Sequence, residues 1–546
     1  MKWKTPGTAL SLFILAAVTL ACLLPFVGKA FHVDDPLFIW CARHIQHHPF
    51  DFYGFNLNWD GREAPMAAVT QNPPLAAYYL SLVGSLLGWS EIALHGGFLL
   101  PALVAVIGTF CLARNFCSHP LAAALVTVTA PVFLLSSTSV MCDTMMLALW
   151  VWSVFFWMEG LKQENTMKLC IAALLIAACG LTKYFGLSLI PLLLTYSLLE
   201  RCRVGRWLAC LLIPVLFLAF YQWLTHKLYG RGLLLNAVSY AANLRVGGEL
   251  PVKILTGLAF GGGCMILLPL ATPLLWGRKG LAIGVSAAVL IGLLIVAMKK
   301  VGDFSVVEAG HVKWLFGIQF SLFAAGGAGL ILLAAADLLA RKTAASALLF
   351  LWIAGTFVFA CAVNWTVSGR NILPMLPAVA LLVIRRLETR PSLRGSDIIQ
   401  RVWWPLGASL AIALLATAAD CSLANSARVA AADLKRDLGA TSRVIWFEGH
   451  WGFQYYMEEL GVKALDKNDP RFSPDDVIVV PLGNSYLFPL PEDRVAFYFK
   501  RQFQTSKWLA TMSGSAGAGY YSDGWGPLPF VFGPVPAEDY LVFRVK

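Results

Sequence analysis

Apolar runs of about 17–25 residues recur along most of this chain, separated by short polar links. A run of that length is long enough to cross the hydrocarbon core of a bilayer as a helix. The pattern predicts an α-helical polytopic membrane protein with about thirteen transmembrane helices. They are predicted near residues 8–28, 91–113, 119–137, 140–160, 169–182, 185–200, 207–225, 252–276, 281–298, 314–336, 345–363, 372–387 and 402–420. The short pairs around 120–160 and 169–200 also fit re-entrant or tilted segments.

Two long segments break the apolar pattern. A polar loop follows the first span over residues 29–90, and a tail occupies residues 421–546. In the tail, strand-like runs at 444–447, 477–480 and 540–543 alternate with turn signals, and residues 453–460 fit a helix closed by Gly461. We therefore expect a transmembrane domain over 1–420 and a small, soluble α/β domain over 421–546.

The charge pattern predicts the orientation of the chain. Only 13% of its residues are charged, about half the share in a soluble protein, and the net charge is +11. Basic residues concentrate in links between spans, which explains the positive charge without a nucleic-acid partner. These residues are Lys2, Lys4, Arg201, Arg203, Arg206, Arg278, Lys279, Arg341, Lys342, Arg385, Arg386, Arg390, Arg394 and Arg401. With thirteen spans they share the cytoplasmic side, although Lys299, Lys300 and Lys313 fall outside. The loop 29–90 and the tail are thus predicted to be extracytoplasmic.

The cysteines and the N-terminal segment carry little functional information. Most of the 12 cysteines lie in apolar segments at spacings that match no zinc or redox motif, as expected of buried thiols. Residues 8–28 are long for the apolar part of a signal peptide, which favours an uncleaved first helix over a cleaved leader.

Adjacent carboxylates, Asp34 and Asp35, follow the first span directly. Consecutive side chains diverge by about 100° on a helix or 180° on a strand, which predicts divided roles. One carboxylate would face a substrate as a general base, and the other would orient a loop partner or a cation. Simple solvation of a loop is the alternative. Residues 37–45 have helical spacing, which fits either an interfacial helix or packing on neighbouring helices.

Short motifs in a fixed order resemble those of the membrane-embedded GT-C glycosyltransferases. The similarity covers roughly residues 10–390 and is greatest to bacterial relatives of protein O-mannosyltransferases and of the aminoarabinose transferase that acts on lipid A. The motifs are Asp34-Asp35, Asn72-Pro73-Pro74-Leu75, Asp143 in Val140-Met141-Cys142-Asp143-Thr144, Gly180-Leu181-Thr182-Lys183, and Ser368-Gly369-Arg370-Asn371-Ile372-Leu373-Pro374. The chain departs from the family pattern in having Asp-Asp where Asp-Glu is common, and Asn72 where His or Lys often precedes Pro-Pro-Leu.

The resemblance implies an inverting glycosyltransferase of the bacterial inner membrane. Such enzymes take a sugar from a polyprenyl-phosphate carrier at the extracytoplasmic face and attach it to a hydroxyl of a lipid, glycan or protein. A transporter or flippase of lipid-linked sugars is the main alternative, but the chain shows no two-fold repeat of the kind many transporters have. A structural or assembly factor is the third class, for which thirteen spans are more than an anchor needs.

The family's candidate base corresponds to Asp34, and the roles predicted for the other residues follow from their positions and charges. Asp34 is the predicted base and Asp35 its support. Asp143 is predicted to act in the site or to cap the helix it begins. Lys183 is predicted to bind the donor phosphate or to reach the membrane interface as a snorkelling side chain.

Arg370 is predicted to bind phosphate or to pair with a loop carboxylate, and Arg62 is a weaker phosphate candidate. The sequence leaves the presence of a divalent metal open. Four histidines lie near the acidic pair, but their spacing matches no metal-binding motif: His32, His44, His47 and His48. The aromatic segment 447–456 fits the core of the tail, with acceptor or sugar binding as the alternative.

Overall fold

Twenty α-helices, most of them apolar, dominate the computed structural model, which describes residues 7–243, 248–390, 398–439, 442–468, 471 and 473–546. Those before residue 230 are α1 Thr8–Leu23, α2 Asp35–His47, α3 Met66–Val69, α4 Leu75–Leu87, α5 Glu91–Ala113, α6 Pro120–Val128, α7 Pro131–Ser137, α8 Asp143–Lys162, α9 Thr166–Thr182, α10 Leu189–Arg201 and α11 Arg206–Tyr229. The rest are α12 Leu233–Asn243, α13 Leu250–Cys264, α14 Leu267–Met298, α15 Trp314–Arg341, α16 Ala344–Val358, α17 Gly369–Ile372, α18 Leu376–Thr389, α19 Ile398–Gly439 and α20 Trp451–Glu459.

Eight helices in the described part of the chain are long and apolar enough to cross a membrane, and the bent pair α6–α7 makes nine if it is one span. Three shorter apolar helices, α4, α9 and α13, lie beside them. The predicted class of polytopic helical membrane protein is confirmed, whereas the count of thirteen spans is not. Lys2, Lys4 and Arg394, which the orientation prediction uses, lie outside the described residues.

Three of the predicted spans differ in outline from the helices that form. The run 119–137 is two helices bent by 61°, because Pro131 holds Ala130 in an extended conformation and interrupts the helix. The runs 252–276 and 281–298 become α13 and the 32-residue α14. A kink at Gly277, where φ is +70°, replaces the predicted gap near residue 279, and such a φ suits glycine best.

The C-terminal tail forms a five-stranded sheet with one helix. The strands among the described residues are β1 Asn56–Asn58, β2 Glu63–Pro65, β3 Lys300–Val301, β4 Phe304–Ser305, β5 Val307–Glu308, β6 His311–Val312, β7 Ile445–Phe447, β8 Lys463–Ala464, β9 Val477–Pro481, β10 Val495–Phe503, β11 Leu509–Ala510, β12 Met512–Ser513, β13 Ala518–Gly519, β14 Val531–Phe532 and β15 Glu538–Val545. The sheet order is β10-β15-β9-β7-β8, with β7 parallel to both β8 and β9. The strands and helix predicted in the tail are confirmed as β7, β9, β15 and α20.

The tail packs directly on the membrane part. Gly452 in α20 lies against the carbonyl oxygen of Phe31, so close that an added Cβ would be 2.0 Å away. Gly369 donates a backbone hydrogen bond of 2.8 Å to the carbonyl of Tyr520. Helix α19 runs through residue 420 without a break, so the predicted domain boundary falls within a helix, and the domain limits stay a prediction.

Candidate functional site

The turn between α1 and α2 directs its two carboxylates to different places. Val33 has a φ of +48°, which is rare for a β-branched residue, and Asp34 precedes the first turn of α2. The Asp34 side chain is 26% exposed and lines a cavity of about 500 Å³. The Asp35 side chain is fully buried and does not line that cavity. Consecutive acids therefore have separate environments.

Asp35 fastens the turn to the segment that precedes α8. Its Oδ2 accepts a hydrogen bond of 2.9 Å from the backbone N–H of His32, and its Oδ1 accepts one of 2.9 Å from Val140. Burial raises the pKa of Asp35 to about 7, against the opposing effects of Lys29 and of these two hydrogen bonds. Asp35 thus contacts backbone groups and holds the position of the loop that carries Asp34.

Helix α2 lies within the protein rather than only along its surface. Its residues Phe38, Ile39 and Cys41 are buried, and the helix packs on α4 and α20. The guanidinium of Arg43 reaches the hydroxyl of Tyr455 at 3.0 Å and pairs with Glu459. The predicted helix is confirmed, and of its two interpretations the structure shows packing on neighbouring helices.

The charged cavity, as we call the 500 Å³ space beside Asp34, collects side chains from distant parts of the sequence. The beginning of α8, the residue after α9, and α17 all meet there, together with the first loop and the C-terminal tail. Its lining includes Asp34, Trp59, Asn72, Asp143, Lys183, Tyr240, Arg370, Asn371, His450, Trp451, Tyr486, Tyr521 and Trp525. Asp34, Asp143, Lys183 and Arg370 are thus brought together.

Arg370 pairs with the first acid of the loop. Its Nη1 lies 2.9 Å from Oδ2 of Asp34, and its guanidinium lies 5.6 Å from the ring centroid of Tyr521. Ser368 caps the N-terminus of α17, the short helix that carries Arg370, and its hydroxyl accepts a hydrogen bond from the backbone N–H of Asn371. The pairing with a loop carboxylate, one of the two predicted alternatives for Arg370, is present in this structure.

Lys183 and Asp143 form a second ion pair in the charged cavity. The Nζ of Lys183 lies 2.6 Å from Oδ1 of Asp143 and donates a hydrogen bond of 3.3 Å to Oδ1 of Asn371. Cys142, not Asp143, occupies the N-cap position of α8, so the carboxylate serves the ion pair instead of the predicted cap. The other oxygen of Asp143, Oδ2, is buried and has no hydrogen-bond partner among the described residues.

Arg62 and the histidines lie apart from these pairs. Arg62 is exposed and does not line the charged cavity. His44 stacks on His48, with ring centroids 4.7 Å apart, and its Nε2 contacts the carbonyl of Asp51. Among the described residues, no group of three or more His, Cys, Asp or Glu side chains is placed to hold a metal ion.

Several lining residues had no signal in the sequence. Tyr521 and Trp525 come from a turn-rich part of the tail, more than 140 residues beyond Arg370, and nothing local to them indicates a site. His450 and Trp451 belong to the aromatic segment 447–456, and both line the charged cavity. The remaining large members of that segment, such as Phe447 and Phe453, are core residues, as the first interpretation of the segment predicts.

The fold and the charged cavity together define a polytopic membrane protein with a polar site at one end of its helices. Residues 71–226 match the family model described as dolichyl-phosphate-mannose-protein mannosyltransferase. The match confirms the resemblance to GT-C glycosyltransferases and includes Asp143 and Lys183.

Solved structures that resemble the chain are distant in sequence. The apo oligosaccharyltransferase of Archaeoglobus fulgidus is 14% identical with a TM-score of 0.49, and the match covers 85% of this chain and 65% of that one. The chain therefore spans just under two thirds of that relative. ArnT from Cupriavidus metallidurans in the apo state is 13% identical with a TM-score of 0.45, and the match covers 87% of this chain and 92% of that one. The same protein bound to undecaprenyl phosphate is also 13% identical, with a TM-score of 0.44. That match covers 87% of this chain and 93% of the other. A search of curated proteins finds no match to the chain.

Proposed function

We propose that this protein is an inverting glycosyltransferase that moves a sugar from a polyprenyl phosphate to a hydroxyl of a cell-envelope lipid, glycan or protein. The observation that carries the proposal is the convergence of Asp34, Asp143, Lys183 and Arg370 on one cavity at an end of the helices. Two carboxylates and two cations supply both a proton acceptor and a phosphate-binding site. The description of the matched family, which names a dolichyl-phosphate sugar, supports a polyprenyl-phosphate donor.

The proposed reaction is a single displacement at the anomeric carbon. The acceptor oxygen forms a bond to that carbon, and the bond from the carbon to the phosphate oxygen breaks with its electron pair remaining on the phosphate. Asp34, whose side chain is partly exposed to the cavity, takes the proton of the acceptor hydroxyl. Attack on the face opposite the departing phosphate inverts the configuration. The products are the glycosylated acceptor and the free polyprenyl phosphate.

The ion pair of Asp34 and Arg370 couples the proton transfer to the departure of the phosphate. Before reaction the two cations and two carboxylates balance, so the cavity has no net charge from these four groups. When Asp34 takes a proton it becomes neutral, and the positive charge of Arg370 is no longer offset by that carboxylate. This charge then stabilises the phosphate at the moment when its negative charge increases. Arg370 and Lys183 are the phosphate-binding residues of this proposal, and Arg62 has no part in it.

The basic links support an extracytoplasmic position for the charged cavity. Helix α10 begins six residues after Lys183 and ends at Arg201. In the same way, α18 begins six residues after Arg370 and carries Arg385 in its last turns. Both helices therefore lead from the cavity end to a basic end. By the positive-inside rule the basic end is cytoplasmic. The protein is then an inner-membrane enzyme whose transmembrane domain, 1–420, carries the site beneath an extracytoplasmic domain, 421–546.

We expect the cavity cations to determine affinity for the donor phosphate. Lys183→Met and Arg370→Met should each weaken binding of undecaprenyl phosphate by about 10–100-fold, because a hydrogen bond to a charged group contributes about 1.5–3 kcal/mol. Binding to the purified protein in nanodiscs can be measured by native mass spectrometry. Lys300→Met, which removes an exposed cation from β3, is the matched control and should leave affinity unchanged. Equal weakening by all three variants would contradict the phosphate assignment.

The function itself is tested by mass spectrometry of envelope lipids, glycans and proteins from cells with and without this protein. We expect one acceptor to lose a mass increment of one sugar residue when the protein is absent and to regain it when the wild-type gene is restored. The corresponding polyprenyl-phosphate sugar should accumulate in the deficient cells, because its consumption stops. An unchanged envelope composition with no accumulated donor would overturn the proposal.

A further inference from the structure

A second cavity of about 280 Å³ adjoins the charged cavity on the side of the C-terminal sheet. It lies between the first loop, α19 and the C-terminal strands. Three residues, Trp451, Met512 and Trp525, line both cavities. The rings of Trp451 and Trp525 are 5.6 Å apart between centroids and inclined at 57°. The two cavities are therefore neighbours that share an aromatic wall.

A histidine of the first loop lines the second cavity and has an unused ring nitrogen. His32 is only 6% exposed, and its Nε2 has no hydrogen-bond partner among the described residues. Burial lowers the pKa of His32 to about 4, so the imidazole is neutral near pH 7. A buried polar atom without a partner is costly unless a ligand or water completes its hydrogen bonding. A hydroxyl group suits this nitrogen, because it can donate or accept.

The polar lining of the second cavity consists of neutral groups and two carboxyl groups, without cations among the described residues. No lysine or arginine of the described chain lines it, and its charged members are Glu538 and Asp539. Asp539 already pairs with Lys500 at 2.8 Å. Besides His32, side chains with hydroxyl or amide groups line it: Ser426, Asn484, Ser513, Ser515 and Tyr540. Such a lining disfavours a phosphate, which the cations of the charged cavity would attract instead.

The shared wall is held in a strained backbone conformation. Trp451 has a φ of +63°, a conformation that a bulky residue rarely adopts and that the surrounding structure must enforce. Residues in such conformations concentrate at binding and active sites. This backbone conformation places Trp451 beside Trp525 at the boundary between the cavities. Flat aromatic faces of this kind offer apolar contact to the C–H faces of a sugar ring, while its hydroxyls reach polar neighbours.

From this arrangement we infer that the second cavity is the acceptor subsite and binds an uncharged, hydroxyl-rich glycan part of the acceptor. The inference rests on the proposed function and names the class of acceptor as a glycan or glycolipid. His32 lies two residues before Asp34, so one short stretch of loop contributes to both cavities. In this arrangement the acceptor reaches past Trp451 and Trp525 into the charged cavity. There its hydroxyl gives its proton to Asp34 and its oxygen bonds to the anomeric carbon, while the phosphate leaves with the electron pair of the broken carbon–oxygen bond.

Photo-crosslinking in cells tests the subsite directly, because the mass of each adduct reports the chemical class of the molecule that was bound. The probe is p-benzoyl-phenylalanine placed at Ser515, an exposed residue that lines the second cavity. After irradiation, we expect mass spectrometry of the purified protein to find adducts that contain sugar residues. The same probe at Lys507, exposed but outside this cavity, is the matched control and should give at least ten-fold fewer sugar-containing adducts.

A second variant separates this inference from the proposed function. Asp34→Asn combined with the probe at Ser515 should still yield glycan adducts, because the acceptor binds even when the base is absent. Adducts made only of phospholipid or peptide, or sugar adducts equal at Ser515 and Lys507, would overturn the subsite. A different pair of results would overturn the transferase but keep a glycan-binding site. In that case the probe at Ser515 gives glycan adducts, while the envelope composition is the same in cells with and without the protein.

Discussion

Asp34→Asn is expected to reduce sugar transfer by about 10²–10⁴-fold, the usual contribution of a positioned general base. An amide oxygen at this position can still accept a hydrogen bond from Arg370, which now lies 2.9 Å from the carboxylate. The local structure should therefore survive. The amide cannot take a proton from the acceptor, so the chemical step is the one that fails. The readout is the sugar increment on envelope molecules in cells that carry the variant.

Binding and folding controls make this result specific. The purified Asp34→Asn protein should bind undecaprenyl phosphate at least as tightly as the wild type, because one negative charge near the phosphate is removed. Asp303→Asn, a change of the same type at an exposed position, should transfer sugar normally. Transfer retained by a folded Asp34→Asn protein would refute Asp34 as the base. Such an outcome would also make the transporter interpretation the stronger one.

Removal of Asp420 is expected to produce the largest loss of stability. Its carboxylate lies 2.6 Å from Nζ of Lys29, and neither side chain has any exposed surface. It also accepts hydrogen bonds from the hydroxyls of Thr511 at 2.7 Å and Tyr521 at 2.8 Å. Asp420→Ala leaves the Lys29 charge buried without its partner, which costs about 3–5 kcal/mol in other proteins. We expect a fall in the thermal unfolding midpoint of the protein in nanodiscs.

A double variant shows whether the buried charge is the cause. Lys29→Met combined with Asp420→Leu removes both charges and should recover much of the lost stability, since an apolar pair of similar size is often as stable as a buried ion pair. Asp303→Ala is the matched exposed control and should change the midpoint little. If the double variant were no more stable than Asp420→Ala, the loss would come from the hydrogen bonds to Thr511 and Tyr521 and not from the uncompensated charge.

Local sequence was sufficient for the elements whose physical causes are local. Apolar runs predicted the polytopic helical class but not the number of spans, and the pattern of the tail predicted β7, β9, β15 and α20. The errors arose where packing or single residues redirect a helix. Pro131 divides one predicted span, and Gly277 changes a gap into a kink. Apolar periodicity reports the length of a buried run, but it does not report a bend within that run.

The candidate site was only partly accessible from the sequence. Asp34 and Arg370 are separated by 336 positions, and only the order of family motifs links them at the level of sequence. Their direct pairing depends on the assembled helices. Tyr521 and Trp525 could not be predicted, because they reach the cavity through the folding of the tail onto the membrane part. The unpartnered nitrogen of His32 is likewise a property of the assembled interior.

Helix α19 extends beyond the membrane region and packs on α20, β7 and β11. It is continuous for 42 residues, about 63 Å at 1.5 Å per residue, which exceeds the 40–45 Å thickness of a whole bilayer. The described part of the C-terminal domain is therefore held against the side of a long helix. Movement of the C-terminal domain away from the membrane helices would have to separate α20, β7 and β11 from α19. We therefore expect bulky molecules to enter and leave between α19 and the first loop, while the C-terminal domain stays in place.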